Sequence, residues 1–275
     1  MINILKFEFK RMLRSRSLYV SLLIALIIVV VDAYSKYKKF KQGIDVNTSV
    51  FIQWLGTFRG FEEGAYLFSI IPLLTSFVYS WTVGYDRSSG YIAQIITRTS
   101  RRKYFLAKYI VSFISGGIVF AVAILAHFFI ISTFYPAYYP IAASSISPVA
   151  AYSFCSNLFY TNPYLFILAW TGITFLWGGT MVCIALGVGM LTRKYSIAVI
   201  APFLIFTVQQ IIGTYIYVRY DVLINKHMMG LIWTEMLYAA PGVTNYVSQI
   251  LLNIAVVAII PTIIYAIRGR KYECL

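Results

Sequence analysis

Charge is what this sequence has least of: Asp, Glu, Lys and Arg make up 12% of its 275 residues, against roughly a quarter in an average soluble domain. With 60% of residues hydrophobic, that excludes an ordinary soluble fold. Cysteine is also scarce. Cys155, Cys183 and Cys274 lie far apart without CxxC or metal-ligand spacing, so neither a disulfide framework nor a zinc site is implied. No GxxxxGK[ST] phosphate loop, HExxH or GxSxG occurs, so neither a nucleotide cradle nor a familiar hydrolase site is expected and the chain reads as a non-enzyme. The only histidines are His127 and His227.

What the sequence does have is long uncharged runs. A hydrocarbon core about 30 Å thick needs about 20 apolar residues per helix. Six spans of that kind are predicted, at about Ser17–Tyr34, Gly64–Gly84, Tyr104–Phe134, Pro163–Leu191, Ser196–Val218 and Ser248–Ile267. The expected fold is an all-α polytopic membrane protein with a single permease-like membrane domain over 1–275. The stretch MINILKFEFKRMLRSRS places mixed residues ahead of the first span with no small-residue cleavage site after it, so no removable signal peptide is expected.

The net charge of +14 comes from basic residues that flank the spans, which points to membrane topology and lipid contact rather than nucleic acid. Sixteen of the 23 Lys and Arg fall in 1–16, 85–103 with Lys108, 192–195 and 268–275. By the positive-inside rule both termini and the 85–103 loop are expected on the cytoplasmic side of the cell membrane. On the other side, SKYKKFKQ carries Lys36, Lys38, Lys39 and Lys41 and reads as a solvated linker. Three outer connections, 35–63, 135–162 and 219–247, are rich in aromatics and Pro (FIQWLGTF, YPAYYP, LIWTEMLYAAPG). They suit short interfacial or re-entrant pieces.

Residues 1–16 are amphipathic, with Ile2, Leu5, Phe9, Met12 and Leu13 on one helical face and Asn3, Lys6, Lys10 and Arg14 on the other, the pattern of a helix lying in the membrane interface. Within the spans, Gly179, Cys183 and Gly187 form a small-residue stripe for close helix packing. Ser76, Ser80, Gln209, Gln210, Thr214 and Asn253 are uncharged polar groups that must face other helices or a conduit. Paired carboxylates or Lys/Asp relays of the kind ion-coupled carriers use are not expected. Asp32 reads as an interfacial residue near a span end, and His127 as a hydrogen-bonded packing residue.

One loop departs from this pattern. YDRSSGYIAQIITRTSRRKYFLAKY, residues 85–109, holds seven charges between two apolar runs. After Asp86 and Gly90, Tyr91, Ile92, Ile95 and Ile96 recur at helical spacing, followed by Arg98, Arg101, Arg102 and Lys103. A short helix with one apolar face is predicted. Ser100 is placed to cap the next helix, where Tyr104 and Lys108 fall one turn apart, with Lys108 expected to snorkel to water.

Gly84, Asp86, Gly90, Ser100, Arg101, Tyr104 and Lys108, together with the six-span layout, the N-terminal helix and the aromatic segment before the last span, resemble the permease subunits of type-two ATP-binding-cassette transporters, mostly exporters. That resemblance implies a coupling helix in 85–103, with Asp86, Gly90, Tyr91, Ile92, Ile95, Ile96, Arg98, Ser100 and Arg101 contributing to it. It also implies two separate ATPase subunits as partners, which bind ATP and Mg while this chain holds no cofactor, and a second permease chain, identical or related. The aromatic, sparsely charged spans suit amphipathic cargo such as a peptide antibiotic, a drug or a lipid-linked molecule. A non-transporting scaffold or sensor, and a secondary carrier, are the alternatives.

Overall fold

The computed structural model describes residues 2–44, 48–54, 65–141, 149, 155–192, 194–220 and 247–270. Among these every regular element is a helix: α1 (Ile2–Leu13), α2 (Arg16–Lys41), α3 (Val50–Gln53), α4 (Ala65–Tyr79), α5 (Trp81–Ser88), α6 (Tyr91–Arg98), α7 (Arg101–Ile131), α8 (Ser156–Thr161), α9 (Pro163–Leu191), α10 (Tyr195–Tyr220) and α11 (Val247–Arg270). Among the described residues six stretches are long and apolar enough to cross a membrane, with α4 and α5 joined into one of them. This is the architecture of a multi-pass membrane protein. Residues 221–246 of the 219–247 connection, Cys274 and the side chain of Thr214 lie outside the described residues.

Local chemistry sets the helix ends. Pro163 opens α9 with its ring angle already helical, and Asn162 accepts a hydrogen bond from the Leu165 N–H at 3.2 Å. Ser100 has the extended backbone of a cap, and its carbonyl accepts from the N–H groups of Lys103 and Tyr104. Its hydroxyl makes no capping bond. Gly90 sits between α5 and α6 at φ 71°, a left-handed conformation that any residue with a Cβ adopts at a cost.

α9 lies at the centre, packed on α7, α11, α10 and α4, while α2 closes over α7 and α4. The α7–α9 contact depends on glycine. A Cβ on Gly178 would fall 2.7 Å from the Gly116 carbonyl oxygen, and one on Gly116 would fall 2.8 Å from that of Gly178. The predicted small-residue stripe is used inside the chain: Gly179 meets Phe113 of α7, the Cys183 thiol lies 3.0 Å from the Tyr109 hydroxyl, and Gly187 seats Pro261 of α11.

One expectation about the far end is corrected. SKYKKFKQ is not a linker, because α2 runs on to Lys41 and Lys36 is buried. In the first outer connection α3 is buried, which suits the re-entrant alternative. Trp54, just after it, has its indole N–H on the Ile124 carbonyl at 3.0 Å.

Candidate functional site

The predicted short helix is present as α6, eight residues between two spans. Ile92 is buried in an apolar cluster with Val83, Tyr104, Phe105, Leu186 and Tyr265, and Tyr91, Ile95 and Ile96 pack against the same cluster. The isoleucine face is therefore occupied by the chain's own bundle. Ala93, Gln94, Thr97 and Arg98 form the exposed face, Ser100 is exposed and Arg101 half-buried. Gly84, one turn before Ser88, allows Tyr195 of α10 to approach, since a Cβ there would lie 2.7 Å from the Tyr195 Cβ.

Beneath α6 lies a buried cluster of four charges. Arg11 of α1 donates to Asp86 of α5 through Nη1 at 2.9 Å and Nη2 at 2.6 Å, a bidentate pair. Lys108 of α7 donates to the same carboxylate at 2.8 Å and to Glu8 of α1 at 3.0 Å. Tyr104 donates to Asp86 at 2.7 Å, and Tyr79 donates to Glu8 at 2.5 Å. Lys108 also lies 4.6 Å above the Tyr79 ring, a cation–π contact. Asp86, Lys108 and Glu8 are fully buried.

The charges sum to zero, with two carboxylates facing two cations. Uncompensated, each ion would cost several kcal/mol to hold away from water. The cluster thus fastens three elements, α1, α5 and α7, at one end of the bundle. It touches α6 as well, because the Arg11 guanidinium lies 5.1 Å from the Tyr91 ring centroid. Partial burial works against the Arg11 charge, but the hydrogen bonds and charge of Asp86 outweigh it, so Arg11 holds its proton more firmly than a free guanidinium. Burial, reinforced by the Glu8 carboxylate, raises the Tyr91 hydroxyl above its usual range and keeps it neutral.

Two further expectations are corrected here. Lys108 does not snorkel to water but is enclosed by two carboxylates and two tyrosines. Lys/Asp pairs within the spans are present after all, and a second one lies at the opposite end. There Asp32 of α2 accepts from Lys36 at 2.9 Å and pairs with His127 of α7 at 2.7 Å, while Lys36 also donates to the Gln53 carbonyl at 2.6 Å. Asp32 is buried rather than interfacial.

The polar residues considered for a conduit scatter. Ser76 and Ser80 are buried in the second span, donating to the carbonyls of Pro72 and Ser76 one turn back. Gln209 and Gln210 sit half-buried on α10 and Asn253 half-buried on α11. Sequence reasoning missed Glu8 and Arg11. The available signal was Glu8 itself, the sole acid of α1, placed between Leu5 and Met12 on the face read as apolar.

Comparison with protein-family models and with curated proteins finds no match to the chain.

Proposed function

We propose that the chain is the transmembrane subunit of a type-two ATP-binding-cassette transporter of the exporter kind, lying in the cell membrane with both termini cytoplasmic. It works as one of two permease chains driven by two separate ATPase subunits, and its cargo is amphipathic. The observation that carries this reading is the seating of α6: two turns between two spans, docked by Ile92 on one face and exposed along the other, above a neutral cluster that ties α1, α5 and α7. A force on the exposed face has a stiff path into three elements, as coupling by rigid-body motion requires. Residues 2–13, with Phe7 and Leu13 exposed, act as a helix in the cytoplasmic interface.

The test is purification of the full chain from its own membranes in mild detergent, reading ATP hydrolysis and the composition of the complex. Co-purification of a chain carrying a phosphate loop, two copies per complex, supports the reading. Recovery of this chain without such a partner, and without ATP hydrolysis, sinks it.

The Asp32, Lys36 and His127 cluster favours a second reading, a proton-coupled carrier, because ionisable groups inside a span mark ion pathways. Transport that persists without ATP and collapses with the proton gradient would select that reading instead.

A further inference from the structure

At the end where α1 turns into α2 there is a recess of about 650 Å³, walled by Phe7, Lys10 and Arg14 on one side and by Arg16, Tyr79 and Trp81 on the other. Its walls are fastened. The Ser17 hydroxyl donates to the Val78 carbonyl at 2.6 Å and accepts from the Trp81 indole N–H at 3.3 Å, which pins the first turn of α2 to α4 and α5. Arg11 also lines the recess but is engaged by Asp86. Lys10, Arg14 and Arg16 are exposed, and among the described residues none of the three has an ion-pair or hydrogen-bond partner for its side chain. Among the described residues no acidic side chain lines the recess.

We infer that this recess binds the headgroup of an anionic phospholipid. Charge complementarity supplies the first half of the argument: three unpartnered cations converge on one concavity with a tryptophan on its wall, the residue enriched at the level of membrane headgroups. The second half is what leaves the recess. Arg16, Val20, Leu23, Ile27 and Val30 fall on one stripe of α2 at i+4 and i+3 steps, and all are exposed. From Arg16 to Ile27 the stripe climbs roughly 16 Å, close to the ~15 Å depth of one leaflet. A phosphate held at Arg14 and Arg16 therefore leaves its acyl chains along an apolar track, which a soluble anion or an acidic peptide would not use. The site stands on the membrane architecture and is independent of the transporter reading.

The test is native mass spectrometry of the purified full chain with added phosphatidylglycerol or phosphatidylcholine. The expected result is one retained phosphatidylglycerol, preferred over phosphatidylcholine. The preference should fall about fivefold for each cation removed and about a hundredfold in the Lys10→Gln, Arg14→Gln, Arg16→Gln triple variant. The charge-matched variant Lys38→Gln, Lys39→Gln, Lys41→Gln, at the other end of α2, should keep it. If the triple variant does not fold, Arg14→Gln alone carries the test with its fivefold effect. Equal retention of the two lipids, or equal loss in both triple variants, overturns the site. Displacement of the lipid by free glycerol phosphate at matching concentration assigns a soluble anion and overturns the lipid reading.

Discussion

Arg11 and Asp86, 75 residues apart in sequence, meet through two parallel hydrogen bonds at 2.6 and 2.9 Å. Since the same carboxylate also holds Lys108 and Tyr104, Asp86 is the member whose loss strands the most charge. Asp86→Asn keeps the size but leaves Arg11 and Lys108 facing Glu8 alone. Breaking a buried pair from one side costs about 3–5 kcal/mol, so the thermal midpoint in detergent should drop sharply. Adding Lys108→Met restores neutrality and should recover most of the loss. An Asp86→Asn protein that melts with the parent would show that the cluster fastens nothing.

The α7–α9 crossing can be tested at a single atom. Gly178→Ala places a Cβ 2.7 Å from the Gly116 carbonyl oxygen and 3.2 Å from the Phe120 Cβ, and the backbone oxygen cannot swing aside. Overpacking of this kind costs about 1–3 kcal/mol. Gly172→Ala lies on the same helix with nothing within 4 Å and should hold the parent's stability or gain up to about 1 kcal/mol. The difference between the two variants in thermal unfolding is the measurement, and equal midpoints would contradict the close approach.

All six spans were legible in the sequence because bilayer thickness imposes a length on every apolar run, and each predicted span overlaps one of the six helices. α6 was legible too. Isoleucines at 92, 95 and 96 after Gly90 carry the helical period in the sequence alone. The direction of that apolar face was not legible, since a period reports that a face exists and not what covers it. Here Val83, Phe105 and Tyr265 cover it, drawn from three other helices. The charge clusters escaped for the same reason. Glu8 and Lys108 are 100 residues apart, and only tertiary packing selects that partner. Asp32 looked interfacial because it lies near the end of its predicted span, whereas α2 continues past it and carries Lys36 one turn on to the same buried spot.

Orientation in the membrane is open to direct chemical test. If the basic segments face the cytoplasm, Cys155 is outside and Cys274 inside. Cys183 is buried against Tyr109 and should not react. Burial raises the Cys155 thiol above its usual range, and the thiolate is the reacting form, so labelling should quicken as the pH rises. A membrane-impermeant maleimide on intact cells should modify Cys155 slowly at neutral pH and faster in alkaline buffer, leaving Cys274 for permeabilised cells. Labelling of Cys274 alone on intact cells would invert the orientation.

The seating of α6 separates coupling from anchoring by which face of the helix a substitution strikes. Ala93 and Arg98 point away from the bundle while Ile92 is enclosed by it. Ala93→Trp and Arg98→Glu change the outward face without disturbing the fold, so they should weaken ATPase co-purification and leave the thermal midpoint within about 0.5 kcal/mol of the parent. Ile92→Asp buries a carboxylate among apolar side chains at a cost of several kcal/mol. It should lower the midpoint and loosen α6 from its seat. Ile95→Asp and Ile96→Asp, half-buried on the inward side, should show a smaller version of the same loss. A coupling helix demands that the outward variants fail in ATPase binding and transport while remaining folded. Should Ala93→Trp and Arg98→Glu retain the ATPase and transport at the parent rate, the exposed face of α6 meets no partner, and 85–103 serves only to join two spans.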